Sequence, residues 1–359
     1  MRRRAVERGR CAHWLHVLQA RCARSRGLGL LCLRVGLAFG MLALNLSCTL
    51  PAPVTVAPGL RPGLNGEFGV PVAVQILGYS DVAPSDDESV RDVMEPFLTR
   101  DGKYLFFNNS NDPSVDTNLH WAQRIDDVTF AYMGEVPGVN TTQLEGTPSV
   151  DADGTLYFVS PRSYGRSLGT IYRARWQGSV AEIDLVPGVS ERVPGIVNFD
   201  VEVSADGNEL IFVVGEFRRG DWLPRTADLL HAYRQGDAFV RDPRSAQIFA
   251  AVNTDALEYA AALGSDGLEL FFTRADVRRG VPPGIFRATR SSRTAPFSAG
   301  ERVLAVHGEV EGPALSSDDR TLYFHRRGAR GFSLYCVQRN HRTGGQSVGK
   351  LGGLSFSGS

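Results

Sequence analysis

Ser204-Ala-Asp-Gly-Asn-Glu-Leu-Ile-Phe212 reads as a hairpin turn leading into a strand, with Leu and Phe closing the phrase around one apolar residue. The same phrase occurs as Thr99-Arg-Asp-Gly-Lys-Tyr-Leu-Phe-Phe107, Asp151-Ala-Asp-Gly-Thr-Leu-Tyr-Phe158, Gly264-Ser-Asp-Gly-Leu-Glu-Leu-Phe-Phe272 and Ser316-Ser-Asp-Asp-Arg-Thr-Leu-Tyr-Phe324. The turn aspartates are Asp101, Asp153, Asp206, Asp266 and Asp318, spaced by 52, 53, 60 and 52 residues.

The second unit shows what one period contains. Glu145 to Val150 is a short strand, and Asp153-Gly154 turns it, because Gly accepts positive φ and Asp bonds the turn backbone. Thr155 to Ser160 follows, with Leu156 and Phe158 on one face and Tyr157 on the other. Thr170 to Trp176 is a third strand and Val180 to Val186 a fourth. Four antiparallel strands in about 50 residues make one blade of a β-propeller.

Outside the turn, further features repeat. Third strands recur as Leu119–Arg124, Leu230–Arg234, Ile285–Arg290 and Leu334–Arg339, each ending in Arg, and fourth strands carry Phe130, Phe239 and Phe297. The fifth unit lacks a fourth strand, since glycine and serine dominate from Gly344 onward. Phe68–Leu77 has no blade of its own and resembles Phe297–Val306. It is therefore expected to complete the last blade and close a five-bladed ring, pairing two otherwise open sheet edges. A six-bladed ring, with residues 66–95 as a degenerate blade, is the alternative.

The chain balances 39 basic against 39 acidic residues, but its first 47 residues hold nine Arg and one Glu. The remainder carries 30 basic and 38 acidic residues, and such an acidic body argues against nucleic-acid binding. Residues 1–47 combine an Arg-rich stretch with an apolar run from Val35, the pattern of an export signal, and Ser47-Cys48 resembles a lipoprotein cleavage site with Cys48 as the lipidated residue. The thirteen residues Val35–Ser47 are fewer than the ~20 that span a bilayer. Residues 48–65 read as a Pro/Gly-rich tether, 66–343 as the propeller and 344–359 as a tail. The expected location is the periplasm or cell surface, with the membrane touched only through the N-terminal anchor. Only Cys336 lies in the folded body, where its alternation with apolar neighbours marks a buried strand residue.

The five phrases resemble the WD-like β-propeller repeat of TolB-like proteins: Pro, apolar, Ser, Pro or Ala, Asp-Gly, two residues, then Leu-apolar-Phe. The resemblance covers about residues 93–339, with Asp319 in place of Gly in the last turn and the second turn one residue short. It implies an exported propeller that binds a protein or an envelope glycan. The peptide by which such proteins recruit a Tol-system partner has no counterpart residue here.

Two constellations are candidate sites. An acidic residue precedes the first strand of each unit: Glu95, Glu145, Asp200 (with Glu202), Glu258 and Glu311. First strands line the axial channel, so these carboxylates are expected to ring its mouth, or else to cap backbone N–H groups and pair with arginines. The loops between second and third strands carry Arg162, Tyr164 and Arg166; Arg218, Arg219 and Trp222; Arg274 and Arg278; and Arg326 and Arg327. Arg and aromatics together suit a protein or glycan surface, and this face is the expected binding site. No Gly-x-Ser-x-Gly elbow and no metal-ligand spacing occurs, so the reading is of a protein that is not an enzyme and needs no cofactor or metal. Glycan cleavage by two channel-mouth carboxylates is the alternative.

Overall fold

The computed structural model describes residues 66–79, 92–111, 116–218 and 224–340. The leader, Cys48, the tether and the tail lie outside the described residues, as do Arg219 and Trp222. Within them the protein is all-β, interrupted by two single helical turns, Tyr164–Ser167 and Ser245–Ile248. No described helix is long and apolar enough to cross a membrane.

Each hairpin phrase builds the unit its sequence dictates. In the second, Gly146–Val150, Thr155–Val159, Ile171–Arg175 and Ile183–Leu185 pair in order and antiparallel. Gly102, Gly154, Gly207 and Gly267 take φ of 69° to 82° at the turns. In the fifth turn Asp319 adopts the left-handed backbone (φ 57°) in glycine's place. Its carboxylate accepts the Ser265 hydroxyl at 2.5 Å and the Ser265 N–H at 3.1 Å, tying this turn to that of the fourth unit and giving the departure a physical reason.

The first strands, Met94–Leu98, Gly146–Val150, Ile196–Val203, Leu257–Leu263 and Val310–Leu315, touch one another in sequence, and the fifth touches the first. Apolar packing follows the same cycle. One cluster joins units one and two through Phe106, Phe158 and Val139, and another joins two and three through Tyr157, Phe212 and Phe239. Phe249 and Phe272 centre the third interface, Phe271 and Phe324 the fourth. Phe107, Phe130 and Tyr323 pack the fifth unit against the first. Cys336 lies buried in that last cluster, where desolvation pushes its thiol up to about 11.

The N-terminal segment divides its pairing between two units. Val72–Ala73 runs antiparallel to Gly331–Gln338 and adds a fourth strand to the fifth unit. Arg339 stacks over Phe68 at 5.2 Å, as Arg290 does over Phe297 (4.6 Å) and Arg234 over Phe239 (5.0 Å). Phe68 thus occupies the place that fourth-strand phenylalanines hold elsewhere. The second half departs from expectation: Gln75–Leu77 pairs in parallel with Thr129–Ala131 of the first unit. The glycine-free stretch Val70–Leu77 is long enough to bond both sheets, so it latches the fifth unit to the first instead of serving the fifth alone.

Candidate functional site

All five first strands contain a bulge at one place. Pairing with the second strand slips between Met94 and Phe97, Gly146 and Ser149, Phe199 and Glu202, Tyr259 and Ala262, and Glu311 and Ala314. The bulged residues Glu95, Thr147, Asp200, Ala260 and Gly312 each adopt left-handed φ of 48° to 61°. For a non-glycine residue that conformation costs roughly 1–2 kcal/mol, so its recurrence marks a position the fold holds in place. Each lies six residues before its turn aspartate.

These bulges are stitched around the axis. The Glu95 N–H donates to His325 Nδ1 of the fifth unit at 3.2 Å. The Thr147 N–H donates to Asn108 of the first at 3.2 Å, and the Gly312 N–H to Thr273 of the fourth at 3.2 Å. Asn108, Thr273 and His325 all stand seven residues after their turn aspartates. The third unit has Val213 there, which offers no acceptor, and Asp200 Oδ2 accepts the Ala260 N–H at 3.1 Å instead.

The sequence-predicted carboxylates divide. Glu145 and Glu258 are fully buried and held from all sides. Glu145 Oε1 meets Arg162 Nη2 at 3.0 Å and accepts the Ser160 and Thr141 hydroxyls at 2.7 and 2.9 Å. Glu258 accepts from Arg274 Nε at 2.6 Å and from the Thr254 hydroxyl at 2.7 Å. Neither lines the axial pocket. Glu95 and Asp200 instead line it, and Glu311, which does not, lies near enough to act electrostatically on both. Asn111 donates to Glu95 at 2.8 Å, and the Tyr259 hydroxyl donates to Glu311 at 2.8 Å. Burial, followed by the mutual repulsion of Glu95 and Asp200, raises the pKa of Glu95; burial and the nearby Glu311 charge raise that of Asp200. Burial moves Glu311 up to about 8. Desolvation lowers His325 to about 3, so it is neutral, and because its Nδ1 accepts from Glu95, Nε2 carries the proton.

The axial pocket has a cavity volume of about 30 Å³ and opens to solvent, and all five first strands line it. In the bulge layer Glu95, Thr147 and Asp200 supply polar side chains and Ala260 and Gly312 none; Pro96, Pro148, Val201, Ala261 and Pro313, one residue later, form an apolar collar. Asp200 Oδ1 and Thr147 Oγ1 are buried without a hydrogen-bond partner. Glu202 also lines the pocket and is paired with Arg100 at 3.0 Å. Among the described residues no three His, Cys, Asp or Glu side chains group to hold a metal ion.

The loop face divides too. Arg162 stacks on Phe158 and Tyr172, Arg274 on Phe272 and Phe286, Arg326 on Tyr335 at 3.6 Å, and Arg327 on Phe332. Tyr164 is half-buried, its hydroxyl donating to the Ile196 carbonyl at 3.3 Å. Arg166, Arg218 and Arg278 are exposed, with Arg278 also donating to the Arg225 carbonyl at 2.7 Å. Thr147, Tyr259 and Asn111 escaped the sequence reading. Counting back six residues from each turn aspartate finds Thr147, but no repeat signal finds Tyr259 or Asn111.

No protein-family profile matches this chain, and no curated protein does. Among solved structures, TolB from Acinetobacter baumannii superposes with a TM-score of 0.39 at 14% identity, over 70% of this chain and 55% of that one. The chain thus spans about half the length of that protein. An α-L-arabinofuranosidase from Podospora anserina gives a TM-score of 0.44 at 12% identity, covering 72% of this chain and 93% of that one. A family 117 glycoside hydrolase from Zobellia galactanivorans gives 0.47 at 11% identity, covering 77% and 91%.

Proposed function

We propose that the described residues form a five-bladed β-propeller, closed by the N-terminal strand, that acts as a non-catalytic binding module for a protein or envelope glycan. Closure is supported by the cycle of first-strand contacts, the cluster joining units five and one, and the pairing of Val72–Ala73 with the last strand. Deleting residues 66–79 removes that pairing and the Phe68 contact with Arg339. A large fall in melting temperature is expected; an unchanged one overturns the closure.

One observation carries the binding reading. The carboxylates that hydrolysis would need are withdrawn from solvent: Glu95, Asp200 and Glu311 are 7% exposed or less, and Glu145 and Glu258 are held by Arg and Thr. No two face outward across an open cleft, as glycosidase chemistry requires. Arg166, Arg218 and Arg278 stay exposed to solvent. The test is retention from cell-envelope extract by the immobilised full chain, beside its Arg166→Ala/Arg218→Ala/Arg278→Ala variant. Loss of a specific retained species in the variant supports the reading. No retention by the parent, or equal retention by both, removes it.

A second reading has its own support: Glu311, raised to about 8, holds a proton at neutral pH as a general acid must. Release of reducing sugar from envelope glycan, abolished in Glu311→Gln, establishes that reading over the first. Export and lipidation rest on the residues before Thr49. Intact mass spectrometry of membrane-extracted protein is expected to find a lipid on Cys48; an unmodified Met1 terminus counts against it.

A further inference from the structure

We propose that the axial pocket binds a primary ammonium group on an alkyl chain, with the head among Asp200 Oδ1, Thr147 Oγ1 and Glu95 and the chain against the apolar collar. Two kinds of observation meet here. Glu95, Thr147 and Asp200 line one pocket, and Asp200 Oδ1 and Thr147 Oγ1, on residues 5% and 9% exposed, are left without a hydrogen-bond partner. A buried polar atom without a partner is disfavoured, and both can accept an N–H: the Thr147 hydroxyl as it stands, and Asp200 Oδ1 once the carboxyl is ionised. The collar of Pro96, Pro148, Val201, Ala261 and Pro313 offers the methylene contacts that such a donor's chain would use.

A cation fits better than a neutral donor. The Arg100 guanidinium lines the pocket but is bonded to Glu202 at 3.0 Å and to the Val203 carbonyl at 2.6 Å. Among the described residues no other Lys or Arg lines it. Tyr259 and Asn111 donate to Glu311 and Glu95 as neutral groups, and His325 is neutral. Arg327 acts on Glu311 from a distance and is opposed by Glu309. An ammonium accepts this geometry more readily than a divalent metal, since no three acidic or imidazole ligands converge and a hydroxyl and a carboxylate can each accept one N–H. Burial and mutual repulsion raise the pKa of these carboxyls, so an entering ammonium would displace protons into solvent.

The test is calorimetric titration of the full chain with n-butylammonium at pH 8, beside butan-1-ol, tetraethylammonium and calcium chloride. Saturable binding of butylammonium alone is expected, with proton release shown by dependence of the heat on buffer ionisation enthalpy. Affinity should rise between pH 6.5 and pH 8 as the carboxyls ionise. Asp200→Asn keeps an acceptor for the Ala260 N–H and should weaken binding about tenfold, as expected for losing a charge-assisted bond. Thr147→Val should weaken it less. A melting temperature within a few degrees of the parent confirms that each variant is folded. A lysine-containing peptide binding tighter than butylammonium assigns the group to a protein partner; equal or weaker binding assigns it to a free amine. Absence of saturable binding, equal binding of butan-1-ol or of calcium, or unchanged affinity in Asp200→Asn overturns the proposal.

Discussion

Units two and four bury a glutamate in one way; units one, three and five bury acids in another. Glu145 and Glu258 stand eight residues before their turn aspartates, Glu95 and Asp200 six, and Glu311 seven. At the first position the side chain meets an arginine from the second-to-third-strand region and a threonine four residues upstream. At the bulge it meets other acids and an apolar collar. A shift of one or two residues on the same strand thus separates a neutralised structural carboxylate from one that holds its proton. A buried charge needs a partner, and where none is supplied the group neutralises itself.

The sharpest way to break this contrast is to make the first kind resemble the second. Arg274→Ala strands Glu258, which is fully buried, and removes the guanidinium from the rings of Phe272 and Phe286. Loss of one partner of a buried ion pair costs about 3–5 kcal/mol. Chemical denaturation should show a loss of that size, and Arg274→Ala/Glu258→Gln should recover part of it. A loss below about 1 kcal/mol, typical of a surface pair, would mean the two acid classes do not differ as described.

Much of the architecture was legible because the turn chemistry is local. Asp-Gly and the following Leu-x-Phe are read within nine residues, and an Arg near the end of each third strand recurs 21 to 28 residues after the turn aspartate. The resemblance of Phe68 to Phe297 identified a fourth-strand position that the stacking of Arg339 and Arg290 reproduces. The division of the N-terminal segment was not legible, because Gln75–Leu77 carries the same apolar pattern whichever sheet receives it. Nor was the fate of the arginines. Arg162 and Arg166 are four residues apart in one loop, yet one stacks on Phe158 and Tyr172 of its own unit and the other is exposed, a difference set by the path of the loop between those two strands and not by residue type. The acids were found as a class, but their offsets read as scatter; the bulge turns those offsets into different environments.

Gly312 tests how tightly the second kind is held. A Cβ there would lie 2.8 Å from Glu95 Oε2 and 2.7 Å from His325 Nδ1, at a φ of 61°. Ala260 and Thr147 tolerate the same backbone, so the left-handed conformation alone does not exclude a side chain. Gly312→Ala should destabilise by roughly 2–3 kcal/mol, more than the ~1 kcal/mol for alanine at positive φ alone, because the carboxyl must move. Equal melting temperatures for Gly312→Ala and the parent would show that Glu95 is free to leave the axis.

The smallest effect is the most diagnostic, because the axial acids and His325 move stability in opposite directions with pH. Glu311 is raised to about 8 from the ordinary glutamate range near 4.5, so between those values the folded state binds more protons than the unfolded state. Its contribution to stability is full at low pH and is lost as pH rises towards 8. The raised pKa values of Glu95 and Asp200 act in the same direction. His325, lowered to about 3 from 6.5, acts the other way: it favours the folded state above 6.5 and loses that contribution as pH falls towards 3. The two opposing trends overlap below pH 6.5, which leaves pH 6.5 to 8 as the window where the carboxyls act alone. Across it, stability should fall with a slope of at most about 1.4 kcal/mol per pH unit for each group that titrates. Glu311→Gln should flatten that slope and match or exceed the parent at pH 8. A parent whose stability rises from pH 6.5 to 8 would mean the axial acids already share a cation, and the distinction between the two kinds of unit would then be one of partner identity, not of charge.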